Sequence, residues 1–352
     1  MHEAEPHILF ENRGALGLIT LNRPKALNAL THGMCLGMLK MLDEWAADDR
    51  IKAVAIRGAG PRAFCAGGDI RTMAESSRDK TQVAANFLRD EYRLNAMIGA
   101  YAKPYVALTH GVVMGGGAGV SVHGSHRLGD EDLAFAMPET GIGFVPDIGS
   151  SFFLSHCPGE SGLYLALTGN RIGLGDALAL GLMTHSASAA SHDDIIARLA
   201  QGGTVQAAIA AHARPKTPSP LAQHRARIDT IFAASSVEAV LERLDRDGGE
   251  FAAATARMMR RRSPTSLKIA FELLRRGKSL SLGECLKMEY RAASRMVMGQ
   301  DFREGVRAQL LDKDGKPRWQ PDALAGIKGT DIVDYFAPLG TRELAFPENL
   351  HQ

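Results

Sequence analysis

The run Gly115-Gly-Gly-Ala-Gly119 is a backbone stripped of side chains, and the chemistry it suits is close approach of a charged oxygen to main-chain N–H groups. It is not a phosphate-binding P-loop, which needs a closing Gly-Lys-Ser/Thr where this chain has Val120-Ser121. A dinucleotide fingerprint fails at Val122, where its third glycine should stand. Gly119-Val-Ser121-Val-His123 misses a nucleophile elbow because histidine replaces the last glycine. His123 and His126 have no acidic or thiol neighbour in sequence to complete a metal site, so no metal is expected. What remains is an oxyanion-binding donor. A strand, Tyr105–Thr109, runs through Gly111 into a glycine turn at a helix N-terminus, whose first N–H groups lack internal acceptors and sit at the positive end of the helix dipole.

The elements that must carry this turn read as alternating strand and helix. Ile8–Asn12 and Gly17–Asn22, separated by Arg13-Gly14, form a hairpin pattern, and Ala53–Arg57 is a buried strand. A helix follows Thr31, a plausible N-cap, with Met34, Met38, Leu42 and Trp45 at helical spacing as core. The spacing further predicts a loop over 58–69, a helix over 82–101, a buried helix over 118–123, and short strands near 127–129 and 133–136. Ten of the chain's 37 glycines fall between Gly111 and Gly149, interleaved with Val112, Val113, Val120, Phe135 and Phe144, so this segment is folded backbone and not a linker. Strands alternating with helices give an α/β class.

At 352 residues, 45% hydrophobic and 23% charged, the chain lies in the ordinary globular range. A formal net charge of +2 gives no global reason to expect a nucleic-acid partner, and no apolar run is long enough to predict a membrane span. Cys35, Cys65, Cys157 and Cys285 are scattered without a CxxC pair, which suits a reducing compartment, and with no secretory signal at the start the expected location is the cytoplasm. Three prolines in Pro215–Pro220 mark a joint over 214–220, dividing a core over 1–213 from a helical region over 221–352. Residues 257–295 hold eleven Lys/Arg against Glu272, Glu284 and Glu289; the stretch is either a solvated helix face or a surface that neutralises ligand phosphates.

Ala63-Phe-Cys-Ala-Gly67-Gly68-Asp69-Ile70 followed by His110-Gly-Val-Val-Met-Gly115-Gly-Gly117 resembles the enoyl-CoA hydratase/isomerase (crotonase) superfamily. Pro138-Glu139 with Pro146-Asp147, Arg262-Ser-Pro-Thr-Ser-Leu-Lys268 and Asp301-Phe-Arg-Glu-Gly-Val-Arg307 resemble its 3-hydroxyisobutyryl-CoA hydrolase branch, from about residue 8 to Phe346. The resemblance implies a spiral of ββα turns with a helical C-terminal cover, an acyl-CoA thioester substrate and no separate cofactor, CoA being part of the substrate. It implies an oxyanion hole from the N–H groups of Gly68 and Gly116, each such donor typically being worth about 2.7–4 kcal/mol in the transition state. It places Ala66, Gly67, Asp69 and Ile70 around the CoA portion. A homo-oligomer is compatible with it, although the hydrolase-type tail would lie where superfamily members assemble.

The carboxylates separate the branches. Hydratases of this superfamily carry a glutamate three residues after the central glycine of the run, and here that position is Gly119. Two carboxylates position the water that is added across a double bond, so the loss of one argues against hydration. Glu139 matches the second. Asp147 stands where hydratases have glycine, and on sequence alone it serves equally well as a cap for a helix over 148–156. As the resemblance implies, Glu139 attacks the thioester carbonyl or activates the attacking water, Asp147 accepts a hydrogen bond from a substrate 3-hydroxyl, and Glu91 is a further acyl-site residue. Ser150-Ser151 departs from the glycines usual after Pro-Asp-x-Gly. His110 and His123 read as structural histidines and Cys65 as a packing residue.

The expected activity is hydrolysis of 3-hydroxyisobutyryl-CoA, a step of valine breakdown, together with 3-hydroxypropionyl-CoA. The alternatives are an isomerase or hydratase of the same superfamily, in which one glutamate moves a proton, and a non-catalytic acyl-CoA-binding protein. A binding module needs neither Glu139 nor Asp147.

Overall fold

The chain enters on a hairpin. In a computed structural model, which describes residues 6–212, 214 and 217–346, strands β1 (Ile8–Arg13) and β2 (Leu16–Leu21) pair antiparallel around Gly14-Ala15, one residue later than the spacing suggests. Strands β3 (Ala53–Gly58), β5 (Tyr105–Leu108), β7 (His126–Gly129) and β9 (His185–Ser186) then join in parallel, giving the order β1-β2-β3-β5-β7-β9. Strands β4 (Ala63–Cys65), β6 (Val112–Met114) and β8 (Ala134–Ala136) form a second, parallel sheet in the order β4-β6-β8. Three successive turns of a spiral thus each leave one strand in each sheet.

This second sheet corrects two expectations. The predicted loop over 58–69 contains β4, and β6 is a strand of its own; three residues are too few to show a period of two. The helix predicted over 118–123 begins earlier, at Gly116, and is regular for one turn to Gly119. The Ser121 hydroxyl then donates to the Gly117 and Ala118 carbonyls and tightens the chain. By contrast, the helix His32–Ala47 is capped as expected: Thr31 Oγ1 accepts from Met34 N at 3.3 Å, and Met34, Met38, Leu42 and Trp45 are buried.

The large sheet is covered on both faces, which is why β2 is buried at every residue. Ile19, Leu21, Val54, Ile56 and Ala107 point into the main core. Their neighbours Leu18, Ala55, Val106 and Leu108 point the other way, onto Ile195, Ile196, Leu199 and Ile209 of the helices His192–Ala200 and Val205–Ala210. Pro215 and Lys216 of the expected joint lie outside the described residues. Beyond it Asp176 holds the chain, accepting from Ser219 Oγ at 2.6 Å and Leu221 N at 2.8 Å. From there to Phe346 the described residues form helices and loops without a strand.

The C-terminal helices share the main core with the spiral. Pro264–Gly277 starts on a Ser263 cap with Pro264 in its first turn, and Leu282–Met296 starts on a capping box of Ser281 and Glu284. Among the described residues no helix is long and apolar enough to cross a membrane. All four cysteines are buried and unpaired.

Candidate active site

The loop after β4 and the loop after β6 lie side by side, because β4 and β6 are hydrogen-bonded neighbours. Together they form one wall of a cavity of about 510 Å³, in which Ala66, Gly67, Gly68 and Ile70 face Gly115 and Gly116. Among the described residues, neither Gly68 N nor Gly116 N donates a backbone hydrogen bond, whereas the residues after Gly68 do: Asp69 N donates to Leu30 O at 2.8 Å, and Ile70 N to Gly68 O at 2.9 Å. Two free N–H groups therefore converge from two loops on one space. The Asp69 side chain is engaged elsewhere. It caps the helix Ile70–Asp79 by accepting from Thr72 N and pairs with Arg23 at 3.2 Å, leaving its neighbours to line the cavity.

The acids come from other elements and reach these loops: a Cβ on Gly115 would lie 2.9 Å from Glu139 Oε1. Pro138 leads into a short 3-10 turn, Glu139–Ile142, which puts Glu139 on the cavity wall with its Oε2 buried and unpartnered. Asp147 follows in the same wall. It caps no helix through its side chain: the next helix is only Ser150–Phe153, its N-cap is Gly149, and the Asp147 carboxylate instead accepts from the Tyr92 hydroxyl at 2.7 Å. Glu91 reaches the cavity from the helix Val83–Gly99, with Oε1 buried and unpartnered. Burial away from water raises all three carboxyl groups well above the usual range, and the charge of Asp147 adds to the effect on Glu139 and Glu91. The Tyr92 hydrogen bond pulls Asp147 back in part. Three buried acids near two unpaired donors form a site able to bind one acyl oxygen and attack beside it.

The motifs near the C-terminus fasten the acid loop. The Ser263 N–H donates to Thr140 O at 3.1 Å, and the Arg262 guanidinium donates to Thr168 O while its side chain lines the cavity. The helix Gln300–Val306 packs so closely against the turn that a Cβ on Gly143 would overlap the Asp301 backbone and one on Gly305 the Ile142 carbonyl. Asp301 is held in turn by Ser263 Oγ at 2.6 Å and Gln320 N at 2.8 Å. A π-helical turn, Arg307–Leu311, then delivers Gln309 and Leu310 to the mouth.

The missing hydratase acid has a steric counterpart. A Cβ on Gly119 would lie 2.8 Å from the Asn95 amide nitrogen and 3.0 Å from Ile148 Cβ, so the site has no room for a longer side chain there. Cys65 is fully buried with its thiol pushed up to about 12 by burial, which keeps it protonated. His110 Nε2 bonds Gly60 O at 2.8 Å and His123 Nε2 bonds Ile148 O at 2.7 Å, so both serve the backbone.

Sequence reasoning passed over Tyr92 and Glu289. Tyr92 is the residue after Glu91 and its hydroxyl has no motif. Glu289 carried a readable signal: Cys285, Leu286, Ala292, Ala293 and Met296 mark an apolar helical stripe, and Glu289 is an acid in the middle of it.

A family model described as enoyl-CoA hydratase/isomerase matches residues 16–336, and the chain belongs to that family. The chain is 42% identical to a Danio rerio protein named "3-hydroxyisobutyryl-CoA hydrolase, mitochondrial", over 97% of this chain and 92% of the other. It is 41% identical to the Homo sapiens protein of the same name, over 98% and 92%. Among solved structures it is similar to one described as a carnitinyl-CoA dehydratase from Mycobacterium thermoresistibile, at 41% identity, TM-score 0.93, 97% of this chain and 99% of that one. It is also similar to one described as an enoyl-CoA hydratase from Rhodobacter sphaeroides 2.4.1, at 37% identity, TM-score 0.90, 97% and 100%.

Proposed function

We propose that this chain hydrolyses the thioester of 3-hydroxyisobutyryl-CoA, the step of valine breakdown expected from its motifs, and accepts the unbranched 3-hydroxypropionyl-CoA. The observation that carries the reading is Glu139: a buried carboxylate with a free oxygen, in a cavity that is also lined by two unpaired backbone N–H groups. The thioester carbonyl oxygen sits between Gly68 N and Gly116 N, where charge building on it is met by donors that need no rearrangement. Glu139 then either attacks the carbonyl carbon, expelling CoA thiolate and forming a mixed anhydride that water hydrolyses to the free acid and the restored carboxylate, or takes a proton from the water that attacks the carbonyl directly. In both routes the products are free CoA and a 3-hydroxy acid. Asp147, oriented by Tyr92, accepts the hydrogen bond of the 3-hydroxyl, and Glu91 closes the acyl end. CoA enters as part of the substrate, and no separate cofactor or metal takes part in the proposed step.

Release of free thiol from 3-hydroxyisobutyryl-CoA tests the reading. Glu139→Gln is expected to lower kcat by about 10³-fold or more, within the range general-base and nucleophilic groups supply, while acyl-CoA binding persists. Wild-type turnover in that variant sinks the assignment. Several relatives carry "mitochondrial" in their names, so the compartment of this chain is read no further than a reducing one, from its four unpaired cysteines. Self-association is the remaining element, and light scattering of the purified chain measures it directly.

A further inference from the structure

The peptide after Asp147 is held in a conformation it would not adopt alone. Ile148 has φ +56°, a region that a β-branched side chain avoids for steric reasons, and Gly149 follows at φ +85°. Such backbone persists only where its surroundings over-determine it. Here three tethers do so. His123 Nε2 donates to the Ile148 carbonyl at 2.7 Å. The Gly149 N–H donates to Glu289 Oε2 at 2.6 Å, and the Ser151 N–H donates to Glu289 Oε1 at 2.7 Å. Both oxygens of one fully buried carboxylate are thus spent on the main chain two and four residues beyond Asp147.

Glu289 belongs to the helix Leu282–Met296, which packs against Val83–Gly99, the helix of Glu91 and Tyr92. The rings of Tyr92 and Tyr290 meet edge to face with centroids 5.9 Å apart. Asp147 is therefore located from two directions: Tyr92 fixes its carboxylate, and Glu289 fixes the backbone that carries it.

We infer that Glu289 is a positioning residue for recognition of the substrate's 3-hydroxyl, holding the strained turn so that the Asp147 carboxylate meets it. The inference rests on the assignment of Asp147 above. Glu289 touches no reacting atom, so its loss affects the hydroxyl contact and leaves the thioester end nearly untouched.

The experiment compares kcat/KM for 3-hydroxyisobutyryl-CoA with kcat/KM for isobutyryl-CoA, which lacks the hydroxyl, in wild type, Asp147→Asn and Glu289→Gln. In Glu289→Gln the amide keeps one acceptor and turns a donor toward the second N–H. The ratio is expected to fall tenfold or more, with isobutyryl-CoA hydrolysis changing less than threefold. Equal losses on both substrates, or an unchanged ratio, overturn the positioning role. Should Glu289→Gln not give folded protein, the same ratio is read in Glu289→Asp, which keeps the charge with a shorter reach, against the same two outcomes. A wild-type enzyme that does not prefer the hydroxylated thioester, or an Asp147→Asn variant that keeps the preference, refutes instead the reading on which the inference rests.

Discussion

A Cβ on Gly116 would lie 2.5 Å from Glu91 Oε1, 3.2 Å from Leu30 Cδ1 and 3.3 Å from Gly68 N. One methyl group there would press on the other oxyanion donor and displace an acid at the acyl end. Gly116→Ala is therefore expected to cost about 10²–10³-fold in kcat, comparable to removing one oxyanion donor, with a far smaller change in Tm; kinetics beside thermal melting checks both. At this scale the glycine run was legible, because an unsubstituted backbone at a turn has few uses. Glu139 and Asp147 were legible through the family pattern around them, while sequence spacing left the choice between a site residue and a cap open for Asp147. In the fold the carboxylate caps no helix and instead accepts from the Tyr92 hydroxyl. That contact joins residues 55 apart in sequence, and no local pattern encodes it.

Among the elements, the 3-10 turn Glu139–Ile142 has little stability of its own; its position is imposed by the helix Gln300–Val306 and by Ser263 N. One of these tight contacts is Gly305 against Ile142, where an added Cβ would overlap the Ile142 carbonyl carbon. Gly305→Ala is expected to push the turn away from its seat, costing about 1–3 kcal/mol of stability as overpacking does and lowering turnover together with Tm. Chemical denaturation and thiol release on the same sample measure the pair, and a stable variant with full activity contradicts this account of the motif. The longer elements were readable because burial marks them: the helix after Thr31 follows its helical apolar spacing, and β2 and β3 are near-continuous apolar runs buried on both faces. Strands β4 and β6 were not, since three residues carry no period, and their pairing depends on the preceding turns of the spiral.

For the whole molecule, the acids buried at the site make stability depend on pH in an unusual direction. Glu91, Glu139, Asp147 and Glu289 all have folded-state pKa values above their unfolded ones, Glu289 reaching about 8. The folded state thus binds more protons than the unfolded chain, so this contribution is present below the ordinary carboxylate value and is lost as pH rises through the folded value. Buried His123 and His192, lowered to about 4, and His126 and His185, also lowered by burial, act in the opposite sense, an effect that fades within about one pH unit above their ordinary value of 6.5. Toward pH 8 the acids dominate, and Tm of the ligand-free protein is expected to fall as pH rises from about 7.5 toward 8; a flat or rising series refutes it. The way Gly143 and Gly305 interlock across the chain also sets when activity can first exist. A ribosome extends the chain from its N-terminus, and domains fold as they emerge. The two oxyanion loops and all three acids are made by residue 147, yet the support for their turn arrives only near residue 305. A nascent chain shorter than this therefore carries the glycine loops and the acids without the seat that aligns them, and thioester hydrolysis begins only once synthesis has passed that point.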